Sequence, residues 1–400
     1  MGEHYCLLAL CSAILARPLL MPPIVIDIRN SEDARDVVHR AVQALAEGGL
    51  VAFPTETVYG IGASACRPDA VERLARLKGR PPSAPFALAI KSAEEAVDYV
   101  PDMTPLARRL ARRCWPGPVT LVVDNQHKEG LTEQLPAAVR KYVTPNGTVG
   151  LRVAANSTLL DVLRMLAGPI VLTSANLSGE PEATTVADVL RSVGHDLALV
   201  LDEGPCRYGQ PSSVVRVHRD RFELLRAGVV AEATLRRLAS MLVLFVCTGN
   251  TCRSPMAEML MRKQLADGLK CRIDELEQRG VVVASAGLAA AGGGAAASEA
   301  MQVMRELGLD LTRHETQPFT DQLARHADYI LAMTQGHLQA IVQRWPAAAE
   351  RVALVRPDNT DVADPIGLTI GAYRQCAEEI ASAVKQHAKR ILPELTPLKK

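Results

Sequence analysis

The 400-residue chain has no charge excess, with 45 Lys and Arg against 44 Asp and Glu. The balance holds locally: 27 against 26 over residues 1–240, which leaves 18 against 18 for the rest. A protein that grips a nucleic-acid backbone by charge alone carries a basic surplus, so that class is excluded; a local basic cleft is not. The nine cysteines lack disulfide-framework spacing and form no quartet of zinc type. Scattered free thiols suit a reducing compartment, which predicts a cytoplasmic protein. No apolar run reaches membrane-spanning length. Cys6 to Ala16 (CLLALCSAILA) is eleven residues, whereas a spanning helix needs about 20. Glu3 and His4 precede it where an export signal has Lys or Arg, so it reads as a dispensable extension (residues 1–23) with a second possible start at Met21. There is no internal repeat.

What is present fits globular α/β domains. Hydrophobic residues make up 48% and charged residues 22%, and 400 residues exceed one ordinary core. From Ile24 the pattern predicts a strand (IVIDI), then a helix over Glu32–Glu47 capped by Ser31 and stopped by Gly48-Gly49. Further strands are expected at Leu50–Phe53, Phe86–Ile90, Thr120–Val123, Val149–Val153, Ile170–Thr173, Leu197–Leu201 and Ser213–Val217. After a helix running out near Ser240, MLVLFVC opens a second domain over 241–400 with the unbroken apolarity of a covered parallel strand. Strands at Val281–Ala284, Tyr329–Ala332 and Val352–Leu354 then alternate with helices, as in a doubly wound parallel sheet. Gly287–Ala297 is low in complexity and reads as a mobile loop.

The sharpest motif ends that first apolar strand. Cys247-Thr-Gly-Asn-Thr-Cys-Arg253-Ser254-Pro255 places a thiol and a guanidinium in C-x5-R spacing, with a helix following. Converging loop amides and a helix N-terminus make an anion site and favour thiolate over thiol. The Arg253 fork suits two phosphoryl oxygens, Ser254 can donate to sulfur, and Asn250 suits a left-handed turn. Thr248, Gly249, Thr251 and Cys252 complete the loop.

Residues 241–400 resemble the low-molecular-weight protein phosphatases, through this loop, Ser285-Ala-Gly287, Ala327–Thr334 and Asp364-Pro365. The resemblance implies Cys247 as nucleophile and Asp364 as general acid and base, with no cofactor. Asp358 and Asp361 are nearby rivals, but neither precedes a proline. CTGNTCRSPMAE resembles the protein-arginine phosphatases of the family most closely, because Thr251 stands where tyrosine-directed members carry a bulkier aliphatic. This implies phosphoarginine in proteins as substrate, with phosphotyrosine as the alternative. Ile366-Gly367 departs from both groups, which commonly have an aromatic after Asp-Pro. Arsenate reduction is set aside, since no cysteine lies between Cys271 and Cys376. Cys252 reads as a structural or redox-protective thiol.

In the N-terminal half, Phe53-Pro-Thr-Glu-Thr-Val-Tyr-Gly60, Lys78-Gly-Arg80-Pro81, Trp115-Pro-Gly-Pro-Val-Thr120 and Thr173-Ser-Ala-Asn-Leu-Ser-Gly-Glu-Pro181 put hydroxyls and cations at strand ends. Open α/β sheets bind ligands there. The set resembles the YrdC/Sua5 family of threonylcarbamoyl-AMP synthases over residues 24–237. That implies a twisted, open, mixed sheet with a concave cleft. The implied reaction joins L-threonine, bicarbonate and ATP, with Mg²⁺ on the phosphates, toward tRNA modification. Carried over by position, Thr57, Arg152 and Ser212 face threonine. Lys78, Arg80, Thr148, Ser174, Asn176 and Arg226 face the nucleotide. Ala84, Ala89 and Ala154 depart from common family residues, and a nucleic-acid- or nucleotide-binding module without catalysis is the alternative. The expected whole is thus a bifunctional enzyme with no membrane association.

Overall fold

A computed structural model describes residues 22–80 and 84–395. The Cys6–Ala16 run, Met21 and Pro81 lie outside the described residues. Strands β1 (Ile24–Asp27), β2 (Val51–Phe53), β3 (Gly60–Ser64), β4 (Ala87–Ala89), β5 (Val119–Asp124), β6 (Thr148–Arg152), β7 (Ile170–Ser174), β8 (Leu199–Asp202), β9 (Ser213–His218) and β10 (Arg221–Arg226) form one sheet. Their order is β1-β8-β2-β3-β7-β4-β6-β5-β9-β10. The sheet is mixed, with β8 parallel to β1 and β2, β5 parallel to β9, and antiparallel pairs such as β3/β7, β5/β6 and β9/β10. Strands β11 (Met241–Cys247), β12 (Val281–Gly287), β13 (Tyr329–Ala332) and β14 (Val352–Leu354) form a second, parallel sheet in the order β12-β11-β13-β14. By proximity the chain groups into two compact units. One holds the described residues through Lys91 with Leu135–Asn146 and Ala154–Pro211; the other holds Ser92–Gln134, Gly147–Val153 and the described residues from Ser212 onward.

Two strands escaped the sequence reading. β3 (GIGAS) has none of the β-branched alternation that marks a strand, because it is buried along its whole length. β10 (RFELLR) is an edge strand whose charged residues face solvent. The first helix, Ala34–Ala46, is capped by Asp33, which accepts from Arg35 N at 2.8 Å; Ser31 instead closes a 3-10 turn. A carboxylate adjoining the helix start outcompetes a hydroxyl two residues earlier.

In the first unit, the register Gly60↔Ser174 and the bond from Ala175 N to Tyr59 O bring the 55–59 loop against the end of β7. Ala89 and Ala154 are fully buried beside Phe53, Ile170 and Leu201 and act there as core residues. In the parallel sheet, Val243, Leu244, Phe245 and Val246 are all fully buried, each worth about 1.5–3 kcal/mol of transfer free energy. The Ile370–Ile391 helix buries Tyr373, Ala377, Ile380, Val384, His387 and Ile391, a 3–4 spacing that lays one face on this core. Strand order 2-1-3-4 puts the topological switch beside β11, and ligands bind at strand C-termini there. Cys247 occupies that place.

Candidate functional site

Cys247 is buried, at 3% exposure, and Asn250 sits in the left-handed region at φ +58. That turn folds Asn250 N back to donate to Cys247 Sγ at 3.2 Å. Ser254 Oγ lies 3.0 Å from the sulfur and accepts from Asn250 Nδ2 at 2.9 Å. Asn250 is itself fixed on every side. Its Nδ2 donates to Ser285 Oγ at 2.9 Å, its Oδ1 accepts from Gln317 N at 2.9 Å, and its carbonyl meets His314 Nε2 at 2.8 Å. Ser285 Oγ in turn donates to Glu258 Oε2 at 2.7 Å, and burial pushes the Glu258 carboxyl up.

Arg253 is 5% exposed; its Nη1 donates to Val362 O at 3.1 Å and its Nη2 pairs with Asp364 Oδ2. Cys247, Arg253 and Asp364, the residues expected to act as nucleophile, phosphate clamp and acid, thus converge through a short loop and the 362–364 segment. The rival carboxylates are engaged elsewhere. Asp358 is held low by Arg356 and Thr360, and Asp361 accepts from Gln335 N at 2.7 Å. Thr251 Oγ1 lies 3.5 Å from Cys252 Sγ, which contacts Tyr373 Oη at 3.3 Å. The cysteines of the described residues are free thiols.

Three supporting features escaped the sequence reading. Gly287–Ala297 is pinned, not mobile: Leu288, Ala289 and Ala297 donate their N–H groups to Cys247, Thr248 and Thr251 carbonyls at 3.0, 2.9 and 2.9 Å. At Gly287 the glycine reflects close backbone approach, since a Cβ there would meet Thr248 O at 2.5 Å. His337, 9% exposed, bridges Thr334 Oγ1 and Thr248 Oγ1 at 2.8 and 2.9 Å, and burial followed by Arg253 pushes its imidazole down. Only its place three residues into a Thr-capped helix hinted at it. Gln317, between the segments expected to matter, carried no signal.

In the first unit, Thr57 is fully buried and its hydroxyl lies 2.8 Å from Thr55 Oγ1, which donates to Val58 O at 2.6 Å. Lys78, 2% exposed, directs Nζ at Ser174 O (2.9 Å), Asn176 Oδ1 (3.2 Å) and Asn176 O. Ser174 Oγ donates to Asn176 Oδ1 at 2.7 Å. Lys78, Ser174 and Asn176 therefore form one cluster, and burial, then Arg80, pushes the ammonium down to about 8. Arg80 donates to Pro85 O at 3.1 Å and lies over the Phe86 ring at 5.0 Å.

In the second unit, Arg226 Nη2 donates to Ser212 O at 2.8 Å and Ser212 Oγ at 3.1 Å, and Thr120 Oγ1 meets Ser212 Oγ at 3.1 Å. Antiparallel pairing of β5 and β6 puts Arg152 at the Thr120 end of β6 and Thr148 at the Asp124 end. Four residues of strand separate them by roughly 13 Å, on the same face. Among the described residues no cluster of His, Cys, Asp or Glu could hold a metal ion, and no helix is long and apolar enough to cross a membrane.

The Sua5/YciO/YrdC family model, described as telomere recombination, matches residues 43–228. The model for low molecular weight phosphotyrosine protein phosphatases matches residues 242–396. A threonylcarbamoyl-AMP synthase of Pyrococcus abyssi is 34% identical over 51% of this chain and 57% of its own length, so the chain spans little more than half of that relative. A putative threonylcarbamoyl-AMP synthase of Mycobacterium leprae is 35% identical over 53% of this chain and 91% of its own. Among solved structures, the YwlE arginine phosphatase of Geobacillus stearothermophilus is 34% identical over 38% of this chain and 94% of its own, with a TM-score of 0.34. The chain therefore belongs to the Sua5/YciO/YrdC family through residues 43–228 and carries a low-molecular-weight protein phosphatase domain over residues 242–396.

Proposed function

We propose that the chain is a bifunctional cytoplasmic enzyme, divided near residue 240, that makes L-threonylcarbamoyladenylate and removes phosphate from protein phosphoarginine. The phosphatase reading is carried by one observation: the Cys247 sulfur receives a hydrogen bond from the Asn250 amide and lies 3.0 Å from the Ser254 hydroxyl, beside a buried arginine. Such a sulfur is placed to act as the nucleophile. It attacks phosphorus while the Arg253 fork takes two phosphoryl oxygens, which releases Asp364 from its ion pair. The P–N bond breaks, and Asp364, which takes up a proton from water once the ion pair opens, passes that proton to the departing guanidine nitrogen. Asp364 then takes a proton from water, which cleaves the thiophosphate and frees Cys247.

Thr251 supports phosphoarginine, since its small hydroxyl-bearing side chain leaves room for a planar guanidinium. Phosphotyrosine is the rival, and Ile366, 63% exposed after Asp364-Pro365, offers no ring to stack on a phenol.

For the synthase half, no protein nucleophile is needed. A threonine carbamate attacks the α-phosphorus of magnesium-bound ATP and pyrophosphate leaves, so positioning and charge carry the rate. The Lys78–Ser174–Asn176 cluster supports nucleotide binding in the first unit. In the second, Thr148 and Arg152 share a face long enough to follow an extended substrate. Downstream, the product passes to tRNA-modification enzymes.

The test is the purified chain assayed on phosphoarginine and phosphotyrosine side by side, with threonine- and bicarbonate-dependent pyrophosphate release in parallel. Cys247→Ser should abolish the first activity and spare the second. Loss of both in a folded variant contradicts two independent sites, and ATP binding without pyrophosphate release favours a non-catalytic module.

A further inference from the structure

The helix Pro105–Cys114 lies outside the stretch matched to the phosphatase family, yet three of its arginines converge on Asp328, the residue before β13. Arg112 Nη2 and Arg113 Nη2 donate to the two Asp328 oxygens at 2.7 and 2.8 Å, and Arg109 Nε lies 2.9 Å from Oδ1. The side chains of Arg113, Arg109 and Asp328 are only 4%, 11% and 11% exposed. Three cations on one carboxylate would repel one another in so dry a place. Helix ends supply the missing negative charge. Arg113 Nη1 donates to Leu238 O and Ser240 O at 2.7 and 2.6 Å, and Arg109 Nη1 to Ala239 O at 2.9 Å, where the Glu232–Ala239 helix ends. Arg113 Nε and Arg112 Nε donate to His326 O and Arg325 O at 3.0 and 2.7 Å, where the Asp321–His326 helix ends. Carbonyls at helix C-termini carry the negative end of the dipole. Burial would raise the Asp328 carboxyl, but Arg109, Arg113 and Arg112 together bring it below its ordinary value.

The same carboxylate reaches the strand that carries the nucleophile. Asp328 Oδ2 accepts from Leu242 N at 2.9 Å, and Asp328 N donates to Leu242 O at 2.8 Å. Asp328 thus ties together the starts of β11 and β13. The far end of β11 is Cys247, and β13 leads through Met333 to Thr334 and His337, which holds Thr248. We propose that Arg109, Arg112 and Arg113 are positioning residues for the phosphatase. They staple the starts of β11 and β13, so that Cys247 and the Thr248–His337 pair meet in register at the other end. The inference rests on the phosphatase reading above. It assigns to a helix of the synthase-like stretch a task in the chemistry of the other.

The test uses the full chain with Arg112→Ala/Arg113→Ala together, Arg112→Ala alone, and Arg112→Lys and Arg113→Lys as conservative controls. Turnover of p-nitrophenyl phosphate is counted per thiol that inorganic phosphate protects from iodoacetate, and amide exchange is followed at Leu242. In the double variant kcat should fall roughly tenfold or more while KM stays within about twofold, because the loop that binds phosphate is intact but misplaced. Exchange at Leu242 should quicken by roughly tenfold, and the lysine variants should recover most of both. Parental kcat per thiol with parental exchange in the folded double variant overturns the proposal. If the double variant does not fold, Arg112→Ala decides by the same readouts, its side chain being the more exposed. A parent that hydrolyses no phosphate substrate defeats the phosphatase reading instead; exchange at Leu242 then judges the staple alone, unchanged rates rejecting it and faster rates upholding it.

Discussion

Asn250 Nδ2 donates to Ser254 Oγ at 2.9 Å, and Ser254 Oγ lies 3.0 Å from Cys247 Sγ. With the Asn250 amide donating to its oxygen, the serine keeps its own proton available to the sulfur. Ser254→Ala removes that donor from the sulfur and an acceptor from Asn250. A hydrogen bond to a charged group is worth about 1.5–3 kcal/mol, so kcat/KM should fall roughly ten- to a hundredfold. A variant within twofold of the parent would show that the thiolate does not depend on this bond.

Gly287 tests the pinned loop. A Cβ there meets Thr248 O at 2.5 Å and Asn250 N at 2.9 Å, both backbone atoms that have no rotamer to retreat into. Gly287→Ala should destabilise the protein by about 1–3 kcal/mol, as overpacking does. Phosphatase turnover should drop with threonine-dependent pyrophosphate release unchanged. Normal turnover and an unmoved unfolding midpoint would mean that the loop yields freely.

Lys78 predicts a pH dependence. Burial pushes its ammonium from 10.5 down to about 8. The charged form, which would steady nucleotide phosphates, is therefore present below about pH 8 and lost above it. Threonine-dependent pyrophosphate release should show an alkaline limb near pH 8 that Lys78→Arg moves upward. Stability runs the other way. Between about 8 and 10.5 the unfolded chain still holds the proton that the folded chain has shed, so folding gains stability as pH rises through that window. A pH–rate profile flat to pH 9.5 would show that the charge of Lys78 is not used.

Thr251 tests the proposed substrate preference. Thr251→Ile removes a hydroxyl and adds bulk beside the phosphoryl group, which crowds a guanidinium more than a phenol ester. One methylene in such a pocket discriminates by about 1–3 kcal/mol, so the kcat/KM ratio of phosphoarginine to phosphotyrosine should fall by roughly ten- to two-hundredfold. Most of the change should be lost phosphoarginine turnover, because Ile366 provides no stacking ring. An unmoved ratio, or a parent that already prefers phosphotyrosine, sinks the arginine reading and leaves the phosphatase chemistry standing.

The phosphate loop was legible from sequence because it is local. Cys247, Asn250, Arg253 and Ser254 lie within eight residues, and a covered strand before them with a helix after leaves the loop few conformations. The parallel sheet was legible for a like reason, each strand being a short apolar run such as MLVLFVC. Sequence alone likewise put Ser174 and Thr57 at strand ends. Only the tertiary structure decided what meets those groups. Ser285 and Gln317 converge on Asn250 from 35 and 67 positions away, Glu258 holds Ser285, and Arg113 reaches Asp328 across 215. The Gly287–Ala297 run reads as slack because small side chains advertise few contacts, yet its backbone N–H groups bond the 247–251 loop, and Gly287 is where a Cβ would collide with it. β3 hid because it is buried on both faces, whereas β10 does alternate charged and apolar residues over Arg221–Leu224, a strand signal that the sequence reading passed over. Periodicity records only a boundary between core and water, and β3 lies along none.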